Sequence, residues 1–271
     1  MHKQRVLTGL ILGSVVLAGL LWGGRPFFNS LAFAVSFFCL YEYFSMTFEK
    51  SPAFQVAGIA LGLVPVLFSM FHPGNWNILL GIFLIFVAGI IMFLFSYGRH
   101  ENPFTEMAVF VFGATYIGLC ASLIVLIHAM PCGNLWIIFL LAVVAAADTG
   151  AFYVGSIIGR RKLCPSISKG KTVEGAAGGL AASALTALIC WLIFMRSSDP
   201  TLLAAAAVLL GLASQAGDLT ESIIKRAFNR KDSGRMLPGH GGVFDRVDGL
   251  LLAGPVLFWI LYFSKGHCSL G

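Results

Sequence analysis

Four polar residues near the end of a long apolar stretch carry reactive or charged groups at helical spacing. They are Asp218, Glu221, Ser222 and Lys225. Residues three or four positions apart lie on one face of an α-helix, so a helix that continues through this stretch would direct two carboxylates and a cation toward one cavity. Such a group of side chains can bind a metal ion or a phosphate.

Other carboxylates lie at the edge of apolar stretches or inside them. Asp245 and Asp248 begin the last apolar stretch, and Asp148 interrupts a run of alanines in an earlier one. A charged carboxylate at membrane depth costs at least about 2.5 kcal/mol, so we expect Asp148 to face a cavity, a cation or a hydrogen-bonding group on a neighbouring helix. Mg²⁺ prefers oxygen ligands and is shared between carboxylates and substrate phosphates, which makes a metal–polyphosphate site the chemistry that these residues favour.

A basic segment precedes one of the apolar stretches. Residues 160–171 include five Lys or Arg, and Ser166, Ser168 and Thr172 add hydroxyl groups. Ammonium groups and the amides of a helix N-terminus both bind phosphate. The segment would serve equally well to anchor the chain to anionic lipid headgroups, and both interpretations stay open at this point.

The composition places these side chains in a membrane protein. The chain has 271 residues, of which 58% are hydrophobic and 11% are charged, whereas soluble proteins have about 25% charged residues. Too little charge is present to coat a water-facing surface, so an ordinary soluble domain is excluded, and the apolar character excludes disorder. The net charge of +6 is read as a signal of membrane orientation, and no nucleic-acid partner is expected.

Nine apolar stretches approach the length of about 20 residues needed to cross a bilayer. They cover residues 6–22, 27–46, 55–71, 77–97, 108–130, 135–157, 176–195, 201–218 and 249–264. We therefore predict an all-α polytopic integral membrane protein with about nine transmembrane helices.

The distribution of charge predicts the orientation and the division of labour. A cytoplasmic N-terminus places 15 Lys and Arg inside and three outside, as the positive-inside rule requires, and the C-terminus then lies outside. Residues 148–248 hold 20 of the 30 charged residues. We predict an N-terminal membrane scaffold of about five spans (1–134) and a catalytic membrane region of about four spans (135–271), with cytoplasmic loops at 158–175 and 219–248.

Two further features of the spans have a packing interpretation. Gly175 and Gly179 have the spacing that lets membrane helices approach closely. Glu42 lies within the second predicted span, where a carboxylate is a functional candidate by default. Its place near the inner end of the span also fits a hydrogen-bonded structural residue, and both readings stay open.

Residues 222–248 resemble the signature of the CDP-diacylglycerol synthase family, whose members are also called phosphatidate cytidylyltransferases. The matching positions are Ser222, Lys225, Arg226, Lys231, Asp232, Gly234, 237–243 and 245–248. The resemblance extends to 147–151 and to 168–175, and so covers the C-terminal half. Within 168–175 this chain keeps Lys171, Thr172 and Glu174, but it has Lys169 and Gly170 where the family usually has Pro and Lys, so Lys169 receives no role.

The resemblance implies the reaction of CTP with phosphatidate to give CDP-diacylglycerol and pyrophosphate, with Mg²⁺ as cofactor and room for a second, monovalent cation. It also implies a homodimer in contact with membrane lipid. A multi-pass protein of the inner, cytoplasmic membrane with its active site facing the cytoplasm is expected. Two alternatives remain, a transporter with intramembrane carboxylates and a related CTP-dependent lipid kinase.

Roles follow for the residues that match. The metal ligands are expected to be Asp148, Asp218, Asp245 and Asp248, with Lys225 as a further catalytic residue. The candidates for substrate binding are Lys171, Thr172, Glu174, Ser214, Gln215, Ser222, Arg226, Lys231, Asp232, Gly239, His240, Gly241, Gly242 and Arg246.

Overall fold

The computed structural model describes residues 17–73, 75–234, 236 and 241–264. Within this part of the chain there are eight long helices, which we number α1 to α8. They are α1 (Gly24–Thr47), α2 (Pro52–Phe71), α3 (Asn75–Phe95), α4 (Pro103–Ala129), α5 (Gly133–Ile158), α6 (Val173–Ile193), α7 (Pro200–Ala227) and α8 (Phe244–Phe263).

All eight helices are long and apolar enough to span a bilayer. Large apolar side chains stay exposed on them, as at Trp76 and Phe95 near the two ends of α3, which are 83% and 89% exposed. Lipid is the environment that would cover such surfaces. The prediction of a helical, multi-pass membrane protein is therefore confirmed. The first predicted span, 6–22, lies mostly outside the described residues, so the count of nine and the orientation of the termini stay predictions.

The described residues form two compact units. The first draws on Met1–Leu126 and Asp232–Phe244, and the second on Ile127–Lys231 and Asp245–Gly271. The first unit thus includes a short segment from late in the sequence, between α7 and α8. The predicted division at residue 134 did not include the late segment Asp232–Phe244 in the first unit. The functional roles assigned to the two halves stay predictions.

The first unit is built around aromatic rings. Five phenylalanines from α1 to α4, and from the residue that ends α1, pack edge-on, tilted or stacked against one another; they are Phe44, Phe48, Phe54, Phe93 and Phe110. The hydroxyl of Tyr43 on α1 donates a hydrogen bond to the carbonyl of Val109 on α4 at 2.9 Å. A buried tyrosine needs such a partner, and this bond fixes the depth of α1 against α4.

In the second unit, glycines bring α5 and α6 into backbone contact. A Cβ atom at Gly179 would lie 2.7 Å from the carbonyl oxygen of Ala147, and one at Gly175 would lie 2.7 Å from that of Ala151. The packing interpretation of this glycine pair is confirmed. Because Ala147 immediately precedes Asp148, the close approach sets the position of that carboxylate relative to the start of α6.

A two-stranded antiparallel hairpin connects α5 to α6. Its strands are β1 (Lys162–Cys164) and β2 (Ser168–Thr172), with Lys162 paired to Thr172. The sequence predicted only a basic loop at this position. Within the described residues, this two-stranded hairpin is the one exception to the predicted all-α fold. The hairpin leads directly into α6, whose first turn is capped by the Thr172 hydroxyl accepting the Gly175 N–H at 3.1 Å.

Helix α7 begins at Pro200, where Asp199 accepts the N–H of Thr201 at 2.8 Å. It runs on to Ala227, well past the apolar stretch that ends near residue 218. An ion pair between Glu221 and Lys225, four residues apart, stabilises this extension. The continuous helix that the polar stripe required is therefore present.

We predict that Gly179→Val lowers the thermal unfolding temperature of the protein in detergent. The new Cβ would meet the backbone of α5, and overpacking of this kind costs about 1–3 kcal/mol. Gly98→Val is the matched control, because no atom lies within 4 Å of a Cβ there. Equal unfolding temperatures for the two variants would show that the α5–α6 contact tolerates a side chain.

Candidate active site

A cavity of about 530 Å³ opens within the second unit. Its lining comes from the hairpin and from α5, α6, α7 and α8. The lining residues are Asp148, Ala151, Phe152, Gly155, Ser156, Leu163, Gly170, Lys171, Thr172, Gly175, Ala176, Gln215, Asp218, Glu221, Lys225, Asp245 and Asp248. Charged groups therefore share this cavity with apolar ones such as Phe152 and Leu163, as a site for an amphipathic substrate requires.

Three carboxylates in the cavity could hold a metal ion. One oxygen from each of Asp218, Glu221 and Asp248 lies within 4.8 Å of the other two. Asp218 and Glu221 come from the polar face of α7, and Asp248 from the beginning of α8. The donor set consists of carboxylate oxygens alone, which suits a hard divalent cation such as Mg²⁺.

Glu221 is the most buried member of this group. Its side chain is 1% exposed, and its Oε2 forms an ion pair with the Nζ of Lys225 at 2.5 Å. The other oxygen, Oε1, is buried and accepts no hydrogen bond from the part of the chain that the structure describes. A buried carboxylate oxygen in this state is costly, and a cation in the cavity would relieve that cost.

Two lysines counter part of the negative charge. Lys225 bridges Glu221 and Asp245, reaching the Oδ1 of Asp245 at 2.6 Å. Lys171, on the second hairpin strand, pairs with the Oδ2 of Asp218 at 2.5 Å. At full ionisation the five lining carboxylates and two lysines leave a formal charge of −3. In that state a bound cation would reduce the repulsion that a polyanion meets in this cavity.

Asp148 lies in the cavity wall, as the sequence analysis expected. The buried hydroxyl of Ser214 on α7 donates to its Oδ1 at 3.4 Å, which is long for a hydrogen bond between two oxygens. This contact supports the helix-packing alternative for Asp148, while its place in the cavity wall supports the metal-site interpretation. The metal role of Asp148 therefore stays a prediction.

The start of α6 also faces the cavity. Lys171, Thr172 and Gly175 line it, and a helix N-terminus attracts anions through its free amides and its dipole. Glu174 has a different place, since its carboxylate accepts the backbone N–H groups of Arg160 and Arg161 at 3.0 and 3.1 Å. Glu174 therefore ties the end of α5 to the start of α6.

The structure brings together eight of the residues to which the sequence assigned a role in the site. Those that line the cavity are Asp148, Lys171, Thr172, Gln215, Asp218, Lys225, Asp245 and Asp248. Ser214 lies behind Asp148, and the side chain of Gln215 donates to the carbonyl of Ala176 on α6 at 3.1 Å.

Other predicted residues do not line this cavity in the described part of the second unit. They are Glu174, Ser222, Arg226, Lys231 and Arg246. Arg226 donates to the carbonyl of Arg230 at 3.2 Å, beyond the end of α7. Asp232, Gly241 and Gly242 belong to the first unit, and Gly239 and His240 lie outside the described residues. The substrate-binding roles assigned to all of these residues stay predictions.

From the sequence, Glu221 was expected on the polar face of α7, but it was assigned no catalytic, binding or metal role. The signal was present, because Glu221 follows Asp218 by three residues and precedes Lys225 by four. Asp245 was assigned to the metal group; in the structure its carboxylate pairs with Lys225, and its metal role stays a prediction. No feature of the sequence distinguishes the partners of these two carboxylates.

Comparison with known proteins agrees with the resemblance found in the sequence. A sequence model described as "Cytidylyltransferase family" matches residues 3–264. The phosphatidate cytidylyltransferase of Bacillus subtilis is 34% identical over 270 residues, which cover 96% of this chain and 97% of that protein. The proteins of the same name from Brucella suis and Staphylococcus saprophyticus are 34% and 33% identical, each over 94% of this chain and over 92% and 97% of their own lengths. The chain therefore belongs to the cytidylyltransferase family.

Proposed function

We propose that this protein is a phosphatidate cytidylyltransferase, which converts CTP and phosphatidate to CDP-diacylglycerol and pyrophosphate with the help of Mg²⁺. The observation that supports this most directly is the group formed by Asp218, Glu221 and Asp248, whose oxygens lie within 4.8 Å of one another. Two lysines lie beside this group in a cavity between candidate membrane helices. The near full-length similarity to proteins of that name supports the choice of substrates.

The reaction is a nucleotidyl transfer. A phosphate oxygen of phosphatidate forms a bond to the α-phosphorus of CTP, and the bond from that phosphorus to the bridging oxygen of the β-phosphate breaks. Pyrophosphate leaves with that bonding electron pair. Because the attacking phosphate is already an anion near neutral pH, the protein need not supply a strong general base. Its task is to hold two polyanions together and to stabilise the charge of the leaving group.

The lining residues divide this task. Asp218, Glu221 and Asp248 would hold Mg²⁺, which when bound supplies positive charge that phosphate oxygens can share. Lys171 is on the hairpin and next to the N-terminus of α6, so it is placed to contact a phosphate group. Lys225 sits between Glu221 and Asp245. We infer that Asp245 orients this lysine, whereas the earlier expectation made Asp245 a metal ligand.

Proposals about the cellular setting rest on the sequence. The excess of Lys and Arg in the segments between α5 and α6 and between α7 and α8 supports an active site that faces the cytoplasm. The similar bacterial proteins support the cytoplasmic membrane as its location. The homodimer and the monovalent cation stay expectations from the family resemblance.

The deciding experiment supplies purified protein in detergent or lipid with CTP, Mg²⁺ and phosphatidate, and measures CDP-diacylglycerol and pyrophosphate together. Equal amounts of both products are expected. A phosphorylated lipid with CDP as the second product would identify a CTP-dependent lipid kinase instead. Substrate-dependent ion flux in vesicles without either product would identify a transporter.

We predict that Asp248→Asn and Glu221→Gln each reduce kcat/KM by about two orders of magnitude or more, because each removes an anionic ligand whose metal stabilises transition-state charge. Asp199→Asn is the matched control in the same unit, since Asp199 is exposed at the N-terminus of α7 and Asn caps helices equally well. Near-normal turnover in Glu221→Gln would remove Glu221 from the metal site.

We predict that Lys171→Met raises the KM for CTP roughly tenfold or more, as loss of a charge-assisted hydrogen bond implies. Lys169→Met is the control, because Lys169 lies on the same strand but is exposed and outside the cavity lining. Equal increases of KM in the two variants would indicate a general effect of positive charge on the hairpin rather than a phosphate contact.

We predict that Asp148→Asn raises the Mg²⁺ concentration for half-maximal activity about tenfold, a typical effect for residues that support a metal site. A magnesium titration of the variant beside the parent protein and Asp199→Asn measures this. If Asp148→Asn has the same magnesium titration curve as the parent protein, Asp148 has no role in metal binding. Its contact with Ser214 would then be a helix-packing contact.

A further inference from the structure

Glu42 is a buried carboxylate that the proposed reaction does not use. It lies on α1 in the first unit, and its side chain is among the most buried charged groups at 2% exposure. An ionised carboxylate is very costly to bury unless several donors surround it. The donors around Glu42 therefore indicate what this residue does.

Among the described residues, three donors reach Glu42, and all three belong to the segment that returns to the first unit. The hydroxyl of Ser233 donates to Oε2 at 2.9 Å. The backbone N–H of Val243 donates to Oε1, and that of Phe244 to Oε2, both at 2.9 Å. A single carboxylate thus holds both ends of the segment from 233 to 244.

The described residues at both ends of the segment pass close to this carboxylate. A Cβ at Gly234 would lie 2.5 Å from Oε1 of Glu42, and one at Gly242 would overlap both Oε2 and the hydroxyl of Ser233. Glycine is needed at both positions because the backbone passes so close to the carboxylate. The close contacts around Glu42 therefore depend on Gly234 and Gly242 as well as on Ser233.

Two of the donors are backbone amides at the beginning of α8. The first amides of a helix lack partners within the helix, and a side-chain oxygen usually accepts them. Val243, which precedes α8, has no such oxygen, and Glu42 supplies it from another helix. A carboxylate at this end also interacts favourably with the helix dipole.

The same helix carries Asp245 and Asp248, one and four residues after Phe244. We propose that Glu42 is a positioning residue for the reaction: it fixes the N-terminal end of α8 and so sets where these two carboxylates are presented. This inference rests on the proposed function, in which Asp248 holds Mg²⁺ and Asp245 orients Lys225. In this proposal Glu42 acts through the start of α8 and is assigned no contact of its own with substrate or metal.

Glu42→Gln tests the proposal, because the amide has almost the same shape but only one accepting oxygen. Hydrogen exchange measured by mass spectrometry should be faster in peptides that cover residues 241–248. In the same preparation, kcat should fall roughly tenfold and the Mg²⁺ concentration for half-maximal activity should rise several-fold, as for residues that support a metal site. Glu101→Gln is the control, since Glu101 is an exposed carboxylate in the same unit.

The outcomes separate positioning from simple stability. A lower kcat with an unchanged requirement for Mg²⁺, and with faster exchange in peptides throughout the chain, would reflect a smaller folded fraction and would overturn the proposal. Faster hydrogen exchange at residues 241–248 with an unchanged kcat and Mg²⁺ requirement would also overturn the proposal. The start of α8 would then be loosened with no effect on the reaction. If Glu42→Gln does not fold, Ser233→Ala serves instead, because it removes one donor. It should give smaller changes of the same kind in hydrogen exchange, kcat and the Mg²⁺ requirement. Parent-like kinetics in a Ser233→Ala protein would then count against the proposal.

The design also separates this inference from the proposed function. A parent protein that makes no CDP-diacylglycerol overturns the proposed function, and the positioning role falls with it. The exchange measurement needs no activity, so it tests the hydrogen bonds to Glu42 in either case. An active parent with an indifferent Glu42→Gln variant leaves the proposed function intact and overturns only the role of Glu42.

Discussion

The cost of gathering carboxylates between membrane helices is the constraint on which the rest of this structure depends. Five carboxylates line one cavity with only two lysines among them. Each charge removed from water must be compensated by a nearby opposite charge or by hydrogen bonds. Lys225 is shared between Glu221 and Asp245, and Lys171 reaches Asp218 from the hairpin. The negative charge that these lysines leave uncompensated is the basis of our proposal that the cavity binds a metal ion and, through it, phosphate.

The helices that carry these groups approach closely because small residues face one another. Backbone contact of α6 with α5 at Gly175 and Gly179 is repeated between α7 and α8. There a Cβ at Gly217 would overlap the carbonyl of Asp248, and one at Gly249 would overlap the Ser214 hydroxyl. Dispersion forces act only at contact distance, and membrane helices depend on them because lipid gives little hydrophobic drive for association. The small residues at these contacts therefore determine both the tight packing of the helices and the positions of the carboxylates.

Much of this arrangement can be predicted from the sequence, because it depends on local spacing. The polar face of α7 follows from residues three and four apart, and the spans follow from their apolar length. The hairpin was missed, since three- and five-residue strands are too short to show an alternating pattern. The partners of Asp245 and the role of Glu42 were missed for another reason. Both depend on contacts between residues distant in sequence, and no local pattern encodes such contacts.

The hydrogen bonds to Glu42 have a consequence for biosynthesis. Glu42 and Phe244 are separated by 202 residues, so their bond can form only after most of the chain has been translated. Helices α1 to α7 must enter the bilayer before the end of α8 can be fixed. Membrane insertion proceeds from the N-terminus, and the carboxylates of α8 are the last charged residues of the cavity to be made. A ribosome that stalls before Val243 would therefore leave a chain with most of its described spans but without Asp248, a member of the carboxylate group to which we assign the metal.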